Sequence, residues 1–330
     1  MTRTARRRWS RELEWLVDGI AFGDSGPLLV HGYEEPSMGK WDGDVIPGKL
    51  AALDRTSGDV LWSSPCEVGY GRGFGAGLGS DDVVVMGPSP QGHRMVRMSL
   101  ENGELIGAAP VPVFDEALVF EDFCFSLSPD RIHGILTSDM VEVWSYRKAG
   151  YRFHQISRQG DDLFIVAEDK KTKLQGVIVL NAETGRVRRQ IIDTKQKLIY
   201  GSAAVEGAVV ALVSDLLEVV PPTQWPEDDS LDGMHLVALP LGASVGDPVL
   251  WNESVPVDPG DDYPDVHIWA DSGKVYVLRE AMIDVRDALT GRQLGELTVP
   301  GLDERVACSV RQGAGLLAEE ERVSIFEIPV

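Results

Sequence analysis

The stretch Leu50 to Trp62, LAALDRTSGDVLW, decides the fold. It reads as an apolar strand, a four-residue turn ending in Gly58 and a second strand closed by Trp62. A glycine at that point suits a hairpin whose turn ends in a left-handed residue and a bulge, a backbone conformation in which most residues suffer a clash between Cβ and a carbonyl oxygen. The unit is one β-hairpin, and the chain repeats it.

Three copies are plain: MVRMSLENGELIG (Met95 to Gly107), VIVLNAETGRVRR (Val177 to Arg189) and IDVRDALTGRQLG (Ile283 to Gly295). Their glycines, with Gly58, fall at Gly103, Gly185 and Gly291, separated by 45, 82 and 106 residues. Those are one, two and two periods of roughly 40 to 50 residues if one repeat carries an insertion, a spacing that points to a β-propeller. Between the plain copies lie weaker ones. Arg131 to Trp144 carries a two-residue Ser-Asp turn, and Met234 to Trp251 ends in GDPVLW. The seventh copy is split, with Arg322 to Val330 supplying one strand and Arg6 to Trp15 the other. A ring removes its open sheet edge by completing its last blade from the other terminus.

A second apolar strand pattern accompanies each hairpin: DSGPLLVHG, SDDVVVMG, EDFCFSLS, GDDLFIVAE, EGAVVALV, SGKVYVLR and QGAGLLAE. The expectation is an all-β, seven-bladed β-propeller of four-stranded antiparallel blades, one domain over residues 1–330. The last blade is closed by residues 1–15.

Composition narrows the function classes. The 43% hydrophobic content supports a buried core, and no run approaches the roughly 18 to 20 apolar residues of a membrane span. The arginines near the N-terminus are followed by Trp9, Arg11, Glu12 and Glu14 rather than an apolar run, so a secretory signal is not expected and a cytoplasmic protein is. A net charge of -21 argues against nucleic acid or an anionic membrane as partner. Cys66, Cys124 and Cys308 are odd in number and far apart, which reads as buried thiols rather than a disulfide framework.

The hairpin resembles the repeat of the pyrroloquinoline-quinone (PQQ)-like propellers, whose blades share an A-L-D-x-x-T-G-x-x-x-W pattern. Ala52, Leu53, Asp54, Gly58 and Trp62 match it, as do Leu180, Asn181, Thr184 and Gly185, and Asp287, Thr290 and Gly291. The resemblance implies that Trp62 and Trp251 pack between blades. The quinone-dependent dehydrogenases of that family use adjacent cysteines, a calcium ion and a catalytic aspartate; no adjacent cysteines occur here, so no quinone or other cofactor is expected. The resemblance is to the cofactor-free members, which act as scaffolds.

Propeller geometry says where binding residues gather. With the innermost strand first, the loops between blades and those between second and third strands open on one face. Both long insertions, residues 31–48 and 214–233, are of the second kind, and they bring Trp41 and Trp225 beside acidic residues. Loops entering the inner strands add Tyr70 and Arg72 from a glycine-rich stretch, Asp262, Tyr263 and His267 from DDYPDVHIW, and Arg152, His154, Tyr200 and Arg305. These residues suit a protein or peptide partner. Alternatives are a lyase or hydrolase using His154, His267, Arg72 and Asp262 in an axial funnel, and a sensor of a small ligand. Asp261, Asp262, Asp265 and His267 have metal-ligand chemistry, but strand alternation sends neighbours to opposite faces, so no metal site is assigned.

Overall fold

In the computed structural model, residues 3–22, 26–34, 48–69, 75–78, 81–120, 122–193, 197–215, 234–244, 247–255, 266–279, 282–301, 307–311 and 313–328 are described. The apolar runs become strands buried on both faces. Leu28–Tyr33, Asp82–Ser89 and Ala314–Glu319 are buried along their whole length, the pattern of a strand sandwiched between neighbouring layers. Each is the second strand of a four-stranded antiparallel sheet.

There are seven such sheets, numbered here as blades one to seven, with strands taken from the axis outward. Blade one is Leu16–Phe22, Leu28–Tyr33, Gly48–Leu53 and Val60–Cys66. Blade two is Gly75–Leu78, Asp82–Ser89, Gly92–Ser99 and Leu105–Pro110. Blade three is Glu116–Val119, Phe123–Ser128, Arg131–Leu136 and Val141–Tyr146, and blade four is Tyr151–Gln159, Asp162–Asp169, Gln175–Asn181 and Val187–Asp193. Blade five is Lys197–Val205, Ala208–Asp215, Met234–Pro240 and Trp251–Val255, and blade six is Val266–Asp271, Lys274–Arg279, Met282–Asp287 and Gln293–Thr298. Blade seven takes Ala307–Arg311, Ala314–Glu319 and Arg322–Glu327 from the end of the chain and Arg6–Glu12 from its start. First strands of adjacent blades lie against one another around the whole ring, blade seven against blade one. The expected seven-bladed propeller, closed by the N-terminal strand, is what forms.

The hydrophobic core is divided among the seams. Seven apolar clusters each join two adjacent blades, for example Leu50, Ala52, Val83 and Val96 between one and two, and Val17, Val30, Leu316 and Val323 between seven and one. The outer end of each seam shows why the repeat has its motif. In the turn after Leu53, the Asp54 carboxylate accepts the N–H groups of Thr56 and Ser57 at 2.8 and 2.7 Å, and Gly58 N–H donates to the Asp54 carbonyl with φ at +76°. Asp287 and Asn181 hold the same turn with Thr290 and Thr184. The backbone N–H groups of Ser57 and Thr56 depress the Asp54 carboxyl below the usual range, and the Thr290 hydroxyl, with the Thr290 N–H, does the same for Asp287.

Onto each of these turns an indole from the preceding blade is laid. Trp9, Trp62, Trp144 and Trp251, all on fourth strands, donate Nε1–H to the carbonyls of Arg55, Leu100, Ala182 and Ala288 at 2.8 to 3.0 Å. Their rings cover Gly58, Gly103, Gly185 and Gly291, so closely that a Cβ on any of the four would lie 2.4 to 2.7 Å from ring carbon. Three other seams solve the same problem differently. Between blades two and three the tryptophan position holds Gly107, the receiving turn holds Met140 whose Cε approaches it, and Arg97 donates to the Ser138 carbonyl at 2.5 Å. Between four and five Arg189 replaces the tryptophan and donates to the Leu241 carbonyl at 2.6 Å. Between six and seven the chain itself crosses, Arg3–Thr4 pairing in parallel with the outer strand of blade six.

Two expectations are corrected. The turn after Leu136 spans Thr137–Met140 and is of the common type, with Met140 at φ 55° donating its N–H to the Leu136 carbonyl at 2.9 Å; it is not a two-residue Ser-Asp turn. Met140 can take the glycine place because no indole covers it. The closing strand ends at Glu12 rather than Trp15, and Trp15 is buried over Gly32 of blade one.

Gly103 and Gly273 have nearly the same φ, +71° and +73°, but only Gly103 lies under an indole. Gly273→Ala should cost about 1–2 kcal/mol for the left-handed backbone, and Gly103→Ala should cost about 1–3 kcal/mol more for overpacking. Urea unfolding of both, alone and with Trp62→Ala, measures this. Trp62→Ala alone should cost roughly 3–5 kcal/mol, and in its presence the excess at Gly103 should shrink to what Ser64 Oγ, 2.6 Å from the same Cβ, still opposes. Equal costs in the native background would remove the steric role given to the tryptophan.

Candidate functional site

The first strands surround an axial cavity of about 930 Å³, lined by blades three to seven among the described residues. Its lining runs from Glu116, Tyr200 and His267 to Gly160, Glu206 and Gly273 at the turns between first and second strands. Register shifts shape its wall. The first strands of blades one, four and five each carry a bulge, at Asp18, His154 and Tyr200. A bulge adds one unpaired residue and re-aims its side chain. After the shift at His154, Gln155 reaches across to accept the N–H of Ser202 at 2.9 Å, tying blades four and five. After the shift at Tyr200, Gly201 lets the strand approach blade six; a Cβ there would lie 3.0 Å from Ile268 Cγ2.

The chemistry of the cavity centres on Glu116. Its carboxyl accepts the Ile156 N–H, yet burial outweighs that bond and pushes it up to about 7. His267 lies with its ring stacked on Trp269, centroids 6.0 Å apart, and Asp122 at the rim is held bidentately by Arg158 at 2.7 and 2.9 Å. Arg158 keeps the Asp122 carboxyl below the usual range. The cavity is thus acidic, with one carboxyl poised to exchange a proton near neutrality.

A second cluster sits at the root of the blade-one insertion. His31, on the second strand, is 1% exposed; its Nδ1 lies 2.5 Å from Asp18 and its Nε2 3.1 Å from the Val68 carbonyl. Both neighbours are acceptors, so the ring bridges the bulge of the first strand to the segment leading into blade two. Gly48, where the chain returns from the insertion, leaves the space: a Cβ there would lie 2.6 Å from His31 Nε2. Cys66 is buried nearby and its thiol is pushed up to about 11, as that of Cys124 is to about 12, so both are poor nucleophiles.

The residues expected from the sequence are distributed as follows. Tyr200 and His267 line the axial cavity. Arg152 and His154 are exposed at the long-loop end of blade four, where His154 Nε2 lies 3.0 Å from Glu168, which also pairs with Lys173. Trp41, Trp225, Tyr70, Arg72, Asp262, Tyr263 and Arg305 lie outside the described residues. The two histidines of the enzymatic alternative are therefore set apart, one in the cavity and one on the surface. Asp18–His31 and His154–Glu168 were not anticipated. Each joins two strands of one hairpin, and pairing the strands about Gly26 and Gly160 would have brought them within reach. Among the described residues no group of three or more His, Cys, Asp or Glu side chains is placed to hold a metal.

No family model matches the sequence, and no curated protein matches it. Solved structures do share its fold. BamB from Moraxella catarrhalis aligns over 98% of both chains with a TM-score of 0.51 and 15% identity. Hydrazine synthase of Kuenenia stuttgartiensis aligns over 96% of both with a TM-score of 0.65 and 11% identity. The computationally designed Ika8 protein aligns over 98% of this chain and all of its own with a TM-score of 0.53 and 11% identity. At these identities the likeness concerns the propeller alone.

Glu116 predicts a pH dependence with a definite sign. Its carboxyl is harder to ionise folded than unfolded, so the stability tied to it is complete below the ordinary carboxyl value of 4.5 and is lost as pH rises through about 7. Glu116→Gln should melt close to the wild type near pH 5 and above it near pH 8. Calorimetry at the two pH values checks it; a gap that does not widen with pH would show Glu116 to be ionised in the folded protein.

Proposed function

We propose that this protein is a non-catalytic binding propeller that holds a protein or peptide partner on its long-loop face, a cofactor-free relative of the PQQ-like propellers acting in the cytoplasm. The observation that carries the reading is where the insertions are rooted. One leaves blade one after Tyr33 and returns at Gly48, the other leaves blade five after Asp215 and returns at Met234, both between second and third strands. They therefore share a face, and blades one and five stand on nearly opposite sides of the axis. Long loops on a rigid ring are where recognition is built.

Two further features support it. Val113, on the connection from blade two to blade three, opens on the same face and is 68% exposed. The blade-one insertion is anchored on the buried His31 bridge, so its ends are held at low entropic cost to binding. The motif matches at Asp54, Gly58 and Trp62 support the PQQ-like reading through their structural parts in turn and seam.

Trp41→Ala and Trp225→Ala test it. Each should leave the melting temperature within a few degrees and reduce capture of a crosslinked partner from native cells, a loss worth about 2 kcal/mol or more for a central anchor. An unchanged captured set, with both variants folded, would place binding elsewhere.

A further inference from the structure

The outer rim carries a feature that recognition on the long-loop face does not use. A fourth strand presents one row of unpaired N–H and C=O groups, and natural proteins defend such edges with charge, proline or a covering segment. Most blades here follow that rule. Blade four places Arg188 and Arg189 on its outer strand, blade five Glu253, and blade seven Arg6, Arg7, Arg8 and Arg11. Blade six is covered by Arg3–Thr4, blade three carries Glu142 and blade one Pro65. Blade two differs. Its outer strand, Leu105–Pro110, reads LIGAAP, has no charged side chain and ends on its proline, whereas the outer strand of blade one, VLWSSPC, also uncharged, holds Pro65 inside the strand, one residue from its end.

That edge is also apolar and exposed. Leu105 and Ile106 are 56% and 53% exposed, because the bulge between Leu105 and Gly107 turns two successive side chains outward. Gly107 lies against Met140 of blade three, and Val141 and Val143 on the outer strand of blade three and Val60 and Leu61 on that of blade one are exposed as well. Around this strip stand the exposed carboxylates of Glu101, Glu104 and Asp139. The protein itself shows what such an edge accepts: Arg3–Thr4, a basic extended segment, adds to blade six as a fifth strand, Arg3 opposite Leu297 and Thr4 opposite Thr298.

We propose that the outer strand of blade two, Leu105–Pro110, is a docking edge for an extended segment of a partner protein, alternating apolar and basic residues, which adds to the blade as a fifth strand. Backbone hydrogen bonds along the free edge supply affinity, and Leu105, Ile106 and the surrounding carboxylates select the side chains. The site lies on the rim, apart from the long-loop face, and does not depend on what binds there.

The test pans the immobilised full-length protein against a phage-displayed library of random twelve-residue peptides, then titrates the enriched peptides. They should alternate apolar residues with Lys or Arg, and should slow amide exchange in Leu105–Pro110 by about tenfold or more. Ile106→Lys should weaken binding about tenfold or more, with Leu105→Lys as a second variant should the first not fold, while Val187→Lys on blade four should leave it unchanged. Failure to enrich any peptide, enrichment of acidic ones, or equal binding to the folded lysine variants would overturn the proposal. So would sedimentation showing a wild-type dimer that Ile106→Lys converts to monomer, since a second copy would then occupy the edge.

Discussion

The indole laid over a left-handed glycine is the contact on which this ring depends. It joins a requirement of the backbone to a requirement of packing at one residue. A left-handed residue without glycine costs about 1–2 kcal/mol, which a protein tolerates at single positions, and this chain does so at Met140, Lys173 and Ser272. Among the described residues the indole N–H groups that bond to turns reach Arg55, Leu100, Ala182 and Ala288, none of them in these three turns. At Gly58, Gly103, Gly185 and Gly291 an indole rests on the turn, and there the residue is always glycine. The glycines are therefore held less by φ than by the ring above them. The carbonyl that accepts the indole N–H sits one residue past the start of the same turn, so the tryptophan also fixes the turn's orientation and keeps its own buried N–H satisfied.

Because the seams carry the core, each blade depends on its neighbours and none has an apolar centre of its own. This explains why departures from the motif come in complementary pairs. Gly107 stands where tryptophan would, and Met140 stands where glycine would receive it; the large and small partners have changed places across one seam. Arg189 keeps the donor but loses the ring, and its guanidinium is held by Asp162 while it reaches the Leu241 carbonyl. Substituting one member of any such pair leaves the other without a fit, so changes across a seam should be strongly non-additive.

The fold was legible because its information is local. A hairpin needs about a dozen residues, its glycine and tryptophan recur at one spacing, and the split seventh copy makes sense only in a closed ring. Met140 shows the limit: without a glycine the turn looked like a different one, though its hydrogen bond is the same. The site was legible only in its placement. Glu116, Tyr200 and His267 come from three blades and share no spacing, and the bulges at Asp18, His154 and Tyr200 shift the alternation by one residue without any mark in the sequence. Of the predicted residues, the structure brings Tyr200 and His267 to one cavity and leaves His154 outside it with Glu168.

The same construction divides the molecule's chemistry by radius. At the axis the first strands surround a cavity whose wall mixes large apolar and polar side chains, and a carboxyl such as Glu116 set into that wall feels burial strongly. In the seams nearly everything is apolar. At the rim the strands are free on one side, and each blade must settle its own edge by charge, by proline or by cover. The seam contacts constrain only one face of each fourth strand, so the residues facing outward are open to change without loss of the ring. An edge left apolar under those conditions, as on blade two, is not required by folding, and stability gives no reason to keep Leu105 and Ile106 in water. The cost of exposing them falls on solubility, and a binding partner that covers them is the condition under which that cost disappears.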